Sequence, residues 1–184
     1  FHLAAVAHAN VSNKNPFSTF DNSVRTLENS LDASRSLKKL KRFFYLSSSM
    51  LYGQFKKSTV NENTICEPLG IYGALKFAGE KMVIGYNQVF NTPYTIIRPS
   101  ALYGERCVSR RVIQIFIESA LKNDPVLVNG DGKEKLDFTY IGDLINGMIK
   151  MMKSNKSKNQ IFNLTYGKSR SILELINILK IYFP

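Results

Sequence analysis

Two short apolar runs, Arg42-Phe-Phe-Tyr-Leu46 and Pro93-Tyr-Thr-Ile-Ile-Arg98, most constrain how this chain can fold. Each is a nearly unbroken series of apolar or β-branched residues rather than an alternating one, the pattern of a strand covered on both faces. Strands of that kind lie in parallel sheets, where successive strands must be joined by a crossover, usually a helix. Residues 18–37 carry apolar or small side chains at Val24, Leu27, Leu31 and Ala33, with Asp21 and Glu28 toward the start. Residues 72–90 carry Ala74, Phe77, Ala78, Met82, Val83 and Tyr86. Both stretches read as helices. With residues 1–5 read as the end of a further buried strand, the order strand, helix, strand, helix, strand predicts an α/β fold built on a doubly wound parallel sheet.

After Pro99 the character shifts. The pattern predicts an amphipathic helix over 112–121, a short strand over 125–128, a turn at Gly130-Asp-Gly132, and a helix over 141–152. A strand over 160–164 and a helix over 171–179 follow, the latter capped by Ser169 or Ser171. This half reads as a smaller α/β lobe over the carboxyl edge of the sheet. The division expected is 1–99 and 100–184, interleaved, with some sheet elements after 130. The chain opens inside an apolar run at Phe1 and stops on another at Pro184, so both ends read as cuts within a larger fold.

The net charge of +11 raises the possibility of nucleic-acid binding. Such sites gather Lys and Arg on one face, often with aromatics interleaved. Here the basic residues are spread, with modest clusters at Lys38-Lys39-Leu40-Lys41-Arg42 and between Lys150 and Lys158. The first reads as a helix C-terminus, where cations oppose the helix dipole, and the second as a polar linker. No nucleic-acid partner is expected. Cys66 and Cys107 stand in no metal-ligand spacing and read as reduced thiols of a cytoplasmic protein, with no metal site. No apolar run approaches the roughly 20 residues of a membrane helix.

The residues that carry chemistry lie at Tyr72-Gly-Ala-Leu-Lys76 and Ser47-Ser48-Ser49. The first puts a phenol and an ammonium one helical turn apart, on one face. A free Tyr ionises near pH ~10, and a neighbouring cation favours the phenolate and brings it into working range as a base. The second ends a buried strand, where open parallel sheets bind their ligands. A hydroxyl there can hydrogen-bond the oxygen that gains or loses a proton.

In His2-Leu-Ala-Ala5, Ser47-Ser-Ser-Met-Leu-Tyr-Gly53, Tyr72-Gly-Ala-Leu-Lys-Phe-Ala-Gly-Glu80, Arg98-Pro-Ser-Ala-Leu-Tyr-Gly104 and Asp137-Phe-Thr-Tyr-Ile-Gly-Asp143, the chain resembles the extended short-chain dehydrogenase/reductase family. The likeness is to its NAD-dependent sugar-nucleotide epimerases and dehydratases, and it covers nearly the whole chain. It implies a Rossmann-type sheet, here without the first strand-turn-helix and its glycine loop, plus a substrate-binding lobe. The piece is therefore expected to bind NAD poorly and to be inactive alone. By position the resemblance makes Ser48 the catalytic hydroxyl, Tyr72 the acid/base and Lys76 its partner. Ala4, Ala5, Asn22, Tyr72, Lys76 and Pro99 would meet the NAD cofactor. Ser49 and Ser100 would face the substrate, and either Lys135 or Arg111 would replace the phosphate-gripping Arg of relatives, because Leu136 stands in its place. A nucleotide-diphosphate sugar substrate and a homodimer are implied.

Dehydratases of this kind carry an Asp-Glu pair where this chain has Ser49-Met50, and decarboxylating relatives place Glu at the Met50 position. The reading is therefore epimerisation of the sugar at C4 through a 4-keto intermediate. A dehydrogenase or reductase of a nucleotide keto-sugar is the alternative, and a non-catalytic nucleotide-binding relative a weaker one.

Overall fold

The run at residues 43–46 has no turn former and no residue that must face water, so it suits a strand covered on both faces. In the computed structural model, which describes residues 1–55, 59–107 and 109–183, it becomes the first strand of a parallel sheet. In chain order the helices are α1 (Ala9–Lys14), α2 (Pro16–Phe20), α3 (Thr26–Arg35), α4 (Gly70–Phe90), α5 (Val112–Leu121), α6 (Ile141–Lys153) and α7 (Ile172–Tyr182). The strands are β1 (Phe43–Leu46), β2 (Tyr94–Arg98), β3 (Ala101–Tyr103), β4 (Lys135–Leu136), β5 (Phe138–Tyr140), β6 (Gln160–Asn163) and β7 (Arg170–Ser171). No helix among the described residues is long and apolar enough to cross a membrane.

The chain divides into two compact units, 1–99 with 148–164 and 100–147 with 165–183. In the first, β1, β2 and β6 form a parallel sheet with β2 in the middle. Every residue of β2 is buried, as its unbroken apolar run requires. Leu27 and Leu31 of α3, Val83 of α4, and Phe43, Tyr45, Tyr94 and Ile96 of the strands make one core. The strand expected over 1–5 is reduced to one parallel bridge, His2 to Tyr45. The helix expected over 18–37 is also different: α2 runs through a wide π turn, Asp21–Arg25, into α3. There Thr26 Oγ1 donates back to the Asn22 carbonyl at 3.1 Å.

The basic cluster at 38–42 is not a helix end, since α3 stops at Arg35. Arg42 instead closes a different helix. Its Nη1 donates to the carbonyls of Met151 (2.9 Å) and Ser154 (3.0 Å) and to Ser157 Oγ, at the C-terminus of α6. The dipole argument holds, but for a helix more than a hundred residues downstream in the sequence.

In the second unit, β3 pairs with β5 in parallel and β4 with β7 antiparallel. Ile113 and Phe116 of α5 pack with Ile172 and Leu175 of α7. Ser171 is the cap of α7: its Oγ accepts from Glu174 N at 3.1 Å while Glu174 Oε2 accepts from Ser171 N at 2.6 Å. Residues 125–128 form no strand. Val126 and Val128 pack on the core while Leu127 is 82% exposed, so the alternation is that of a strand. Yet Pro125 offers no donor, and the segment pairs with no other among the described residues.

Candidate active site

The sheet and α4 place the motif residues. Lys76 lies 9% exposed on the buried side of α4, and its Nζ donates to the carbonyl of Leu46 at 2.7 Å. Leu46 ends β1, and the chain then runs directly into Ser47 and Ser48. The ammonium also stands 5.3 Å from the Tyr45 ring centre and 5.9 Å from that of Tyr72. Burial pulls the Lys76 pKa down to about 8, and the negative charge of Glu80, one turn on, works against that fall.

Ser48 is buried at 8% exposure in extended backbone, and its Oγ accepts from Met50 N at 3.2 Å to open a single 3₁₀ turn, Ser49–Tyr52. Two bonds tie this segment to β2 and the residue after it: Ser47 N to Ile97 O at 2.7 Å and Ser49 N to Pro99 O at 2.8 Å. Ser49 and Pro99 are thereby brought together. Ser47 Oγ is buried and has no hydrogen-bond partner among the described residues. The Ser48 turn is held against α4 by a close approach at Gly73, where a Cβ would fall 2.8 Å from the Met50 carbonyl. Gly79 does the same against the sheet: a Cβ there would fall 2.2 Å from Tyr45 Oη. The glycine after Tyr72 therefore lets the helix with the phenol and ammonium lie on the turn that holds Ser48.

Tyr72, Leu75 and Lys76 share a small open hollow with Val6, Thr19, Ser23 and Tyr45. Val6 N donates to Ser23 Oγ at 3.0 Å, pinning the segment after Ala4 and Ala5 to the π turn that carries Asn22. Ala4 is exposed and Ala5 half-buried. Asn22 is exposed, and its Nδ2 donates to Ser18 O at 2.8 Å and to Ser18 Oγ at 3.2 Å. His2 is buried beside Tyr45, and burial followed by the Lys76 charge holds its imidazole below the ordinary value.

The charged groups that sequence reasoning left without a role are Glu80 and Arg98. They form a forked ion pair, Nε to Oε1 at 2.9 Å and Nη2 to Oε2 at 2.7 Å, with side chains 1% and 3% exposed. Arg98 Nη1 also donates to Tyr52 Oη at 2.7 Å and to Glu62 O at 3.3 Å, and Tyr52 Oη donates to Asn163 Oδ1 at 2.8 Å. Burial works against the Arg98 charge, but the bonds and charge of Glu80 outweigh it and raise its pKa. A signal was present: a lone Arg closing an apolar strand needs an acid, and Glu80 lies on the Lys76 face of α4.

The second unit holds Ser100, half-buried, and the exposed Lys135. Arg111 is exposed at the N-cap of α5, with its Nε 3.2 Å from Ser109 Oγ. Asp137 serves the fold, accepting from Tyr166 N at 3.1 Å and Gly167 N at 2.9 Å. Tyr140 Oη donates to Glu105 at 2.9 Å. No group of three potential metal ligands occurs among the described residues.

A buried ammonium beside a phenol, fixed to the strand end that presents a buried serine, is equipped to move a proton to and from a hydroxyl group. The family profile of the NAD dependent epimerase/dehydratase family matches residues 1–165, and the chain belongs to that family. A Methanocaldococcus jannaschii protein with the provisional name UDP-glucose 4-epimerase is 35% identical over 182 residues, covering 97% of this chain and 59% of the relative. Among solved structures, the Bacillus cereus UDP-glucuronic acid 4-epimerase in complex with UDP-glucuronic acid and NAD is 30% identical with a TM-score of 0.92. That match covers 98% of this chain and 58% of the other. The Thermotoga maritima UDP-glucose 4-epimerase with UDP-glucose is 27% identical, TM-score 0.88, over 98% of this chain and 59% of the other. The chain thus spans somewhat under three-fifths of the length of these relatives.

Proposed function

We propose that this chain carries the catalytic residues of an NAD-dependent enzyme that epimerises a nucleotide-diphosphate sugar, most directly at C4 of a UDP-sugar. The observation that carries the reading is the Lys76 ammonium: buried, one turn from Tyr72, and bonded to the last residue of the strand that leads to Ser48. An ammonium has three hydrogens, so its bond to Leu46 leaves two for other acceptors, as a ribose diol would need. The hollow beside it is lined by the small or hydroxylated Val6, Thr19 and Ser23. Ala4, Ala5, Asn22 and Pro99 would complete this chain's share of the cofactor contacts. Bound there, the nicotinamide supplies a hydride acceptor and donor.

The chain's own residues handle the proton. Tyr72 Oη takes it from the sugar hydroxyl and later returns it. The Lys76 cation favours the phenolate that does this, and Ser48 Oγ hydrogen-bonds the same oxygen as it gains carbonyl character. Ser49 and Ser100 would face the sugar, and Lys135 or Arg111 the diphosphate. Ser49-Met50 offers no second acid–base pair, which favours epimerisation over dehydration. A homodimer and a cytoplasmic location complete the reading. Light scattering tests the first.

The test is to assay the complete protein against UDP-, GDP- and dTDP-sugars for epimer exchange. Interconversion of a C4 epimer pair supports the proposal. No turnover on any of them, with NAD bound, overturns it.

A further inference from the structure

Two arms meet at the site: the turn that begins at Ser48 and the helix that carries Tyr72 and Lys76. Something must hold them in register, because a hydroxyl, a phenol and an ammonium act together only within a fraction of an ångström. Backbone bonds fix Ser47 and Ser49 to β2 and the residue after it. Among the described residues, one side chain hydrogen-bonds to both arms at once. Arg98, the last residue of β2, grips Glu80 on the helix with two bonds and Tyr52 on the turn with a third. Tyr52 closes the 3₁₀ turn that Ser48 opens, and Glu80 lies one turn after Lys76 on the same face.

We propose that Arg98 and Glu80 are positioning residues, their buried ion pair locking the Ser48 turn and the Lys76 helix to the end of β2. The proposal rests on the reading of Ser48, Tyr72 and Lys76 as the site. Three features support it. A planar guanidinium can serve a carboxylate fork and a phenol at once, which a Lys cannot. A buried pair gives little net stability compared with an apolar replacement, so packing alone does not call for it here. Glu80 also supplies negative charge to Lys76. The groups facing that ammonium are Glu80 and Tyr72 from its own helix, Tyr45 from β1 and His2 from the N-terminal segment, and Glu80 is the one that favours the cation.

The experiment is backbone hydrogen exchange on the full chain, with a lysine side-chain NMR titration assigned through a Lys76→Met variant. Arg98→Lys keeps the charge and loses the fork. It should speed exchange at the Met50 and Gly53 amides roughly ten-fold relative to Val83 and Ile96 in the core, about the loss of one hydrogen bond. Because Arg98→Lys can also weaken folding, the double variant Glu80→Met with Arg98→Met fills the space without charge, and it should show the same local loosening. Glu80→Gln should move the Lys76 titration midpoint lower. Exchange that is unchanged in the folded variant, or that accelerates uniformly, overturns the proposal, as does an unmoved Lys76 midpoint. The site reading fails separately, through Tyr72→Phe retaining turnover in the complete protein while these exchange patterns stand.

Discussion

Lys76 makes the fold pay for its site, and the cost can be measured. An unfolded Lys side chain titrates at 10.5, whereas burial brings Lys76 to about 8 in the folded chain. At 1.36 kcal/mol per pH unit, holding the cation folded costs about 3 kcal/mol near neutrality. Between those two values the folded state binds fewer protons than the unfolded state, so stability must rise with pH across the window. The penalty is absent above 10.5, grows as pH falls through the window and is complete below about 8. Lys76→Met, of similar length, removes the group that titrates. Urea unfolding of both proteins by circular dichroism at pH 7, 8, 9 and 10 isolates the contribution, because other titrating groups cancel in the difference. The wild type should gain on the variant by most of those ~3 kcal/mol between pH 7 and 10. A difference that stays flat with pH would refute the claim that burial, and not solvent, sets the state of this ammonium.

Tyr72→Phe keeps the helix and removes the hydroxyl proposed to carry the proton. In the complete protein, turnover should fall on the order of 10²–10⁴-fold, with an unchanged circular dichroism spectrum. Gly73→Ala puts a methyl 2.8 Å from the Met50 carbonyl and 3.2 Å from Pro68, so the Ser48 turn must shift. Denaturant midpoints should report a loss of about 1–3 kcal/mol. Ser171→Ala breaks the capping box of α7 and should lower stability by about 1 kcal/mol in the same assay. Arg42→Met leaves the carbonyls at the end of α6 without their donor and should fray that helix, seen as faster exchange at the Met151 and Lys153 amides.

How far the sequence could be read depended on how local the determining contacts are. The strands β1 and β2 and the helix α4 were legible because long runs of one periodicity admit few alternatives. Strands β3, β4, β5 and β7 are two or three residues long and have no period to detect. Residues 125–128 show the converse, since alternation marks a buried face but a strand also needs a partner with free donors and acceptors. The π turn around Asn22 interrupts an otherwise helical pattern, and no spacing rule reveals it. Arg42 was read by its neighbours in sequence and is explained by residues 109 to 115 positions away. At the site, Tyr72 and Lys76 were visible from helical spacing. The pairing of Glu80 with Arg98 required knowing that α4 crosses back over the end of β2.

The buried charges of the described residues are three: Lys76, Glu80 and Arg98. Burying a charge is tolerated only when another group compensates it. Glu80 and Arg98 compensate each other at 2.7–2.9 Å, which leaves the Lys76 cation with a carbonyl and two aromatic rings but no ion partner of its own. Packing gives no reason for that excess, because a Met in its place would fill α4 and remove the penalty. A cation held beside a phenol has a chemical use under the proposed function: it favours the phenolate, here next to a strand end that presents a buried serine. The glycines at 73 and 79, which bring the helix close enough for that carbonyl bond, therefore serve the charge as much as the packing.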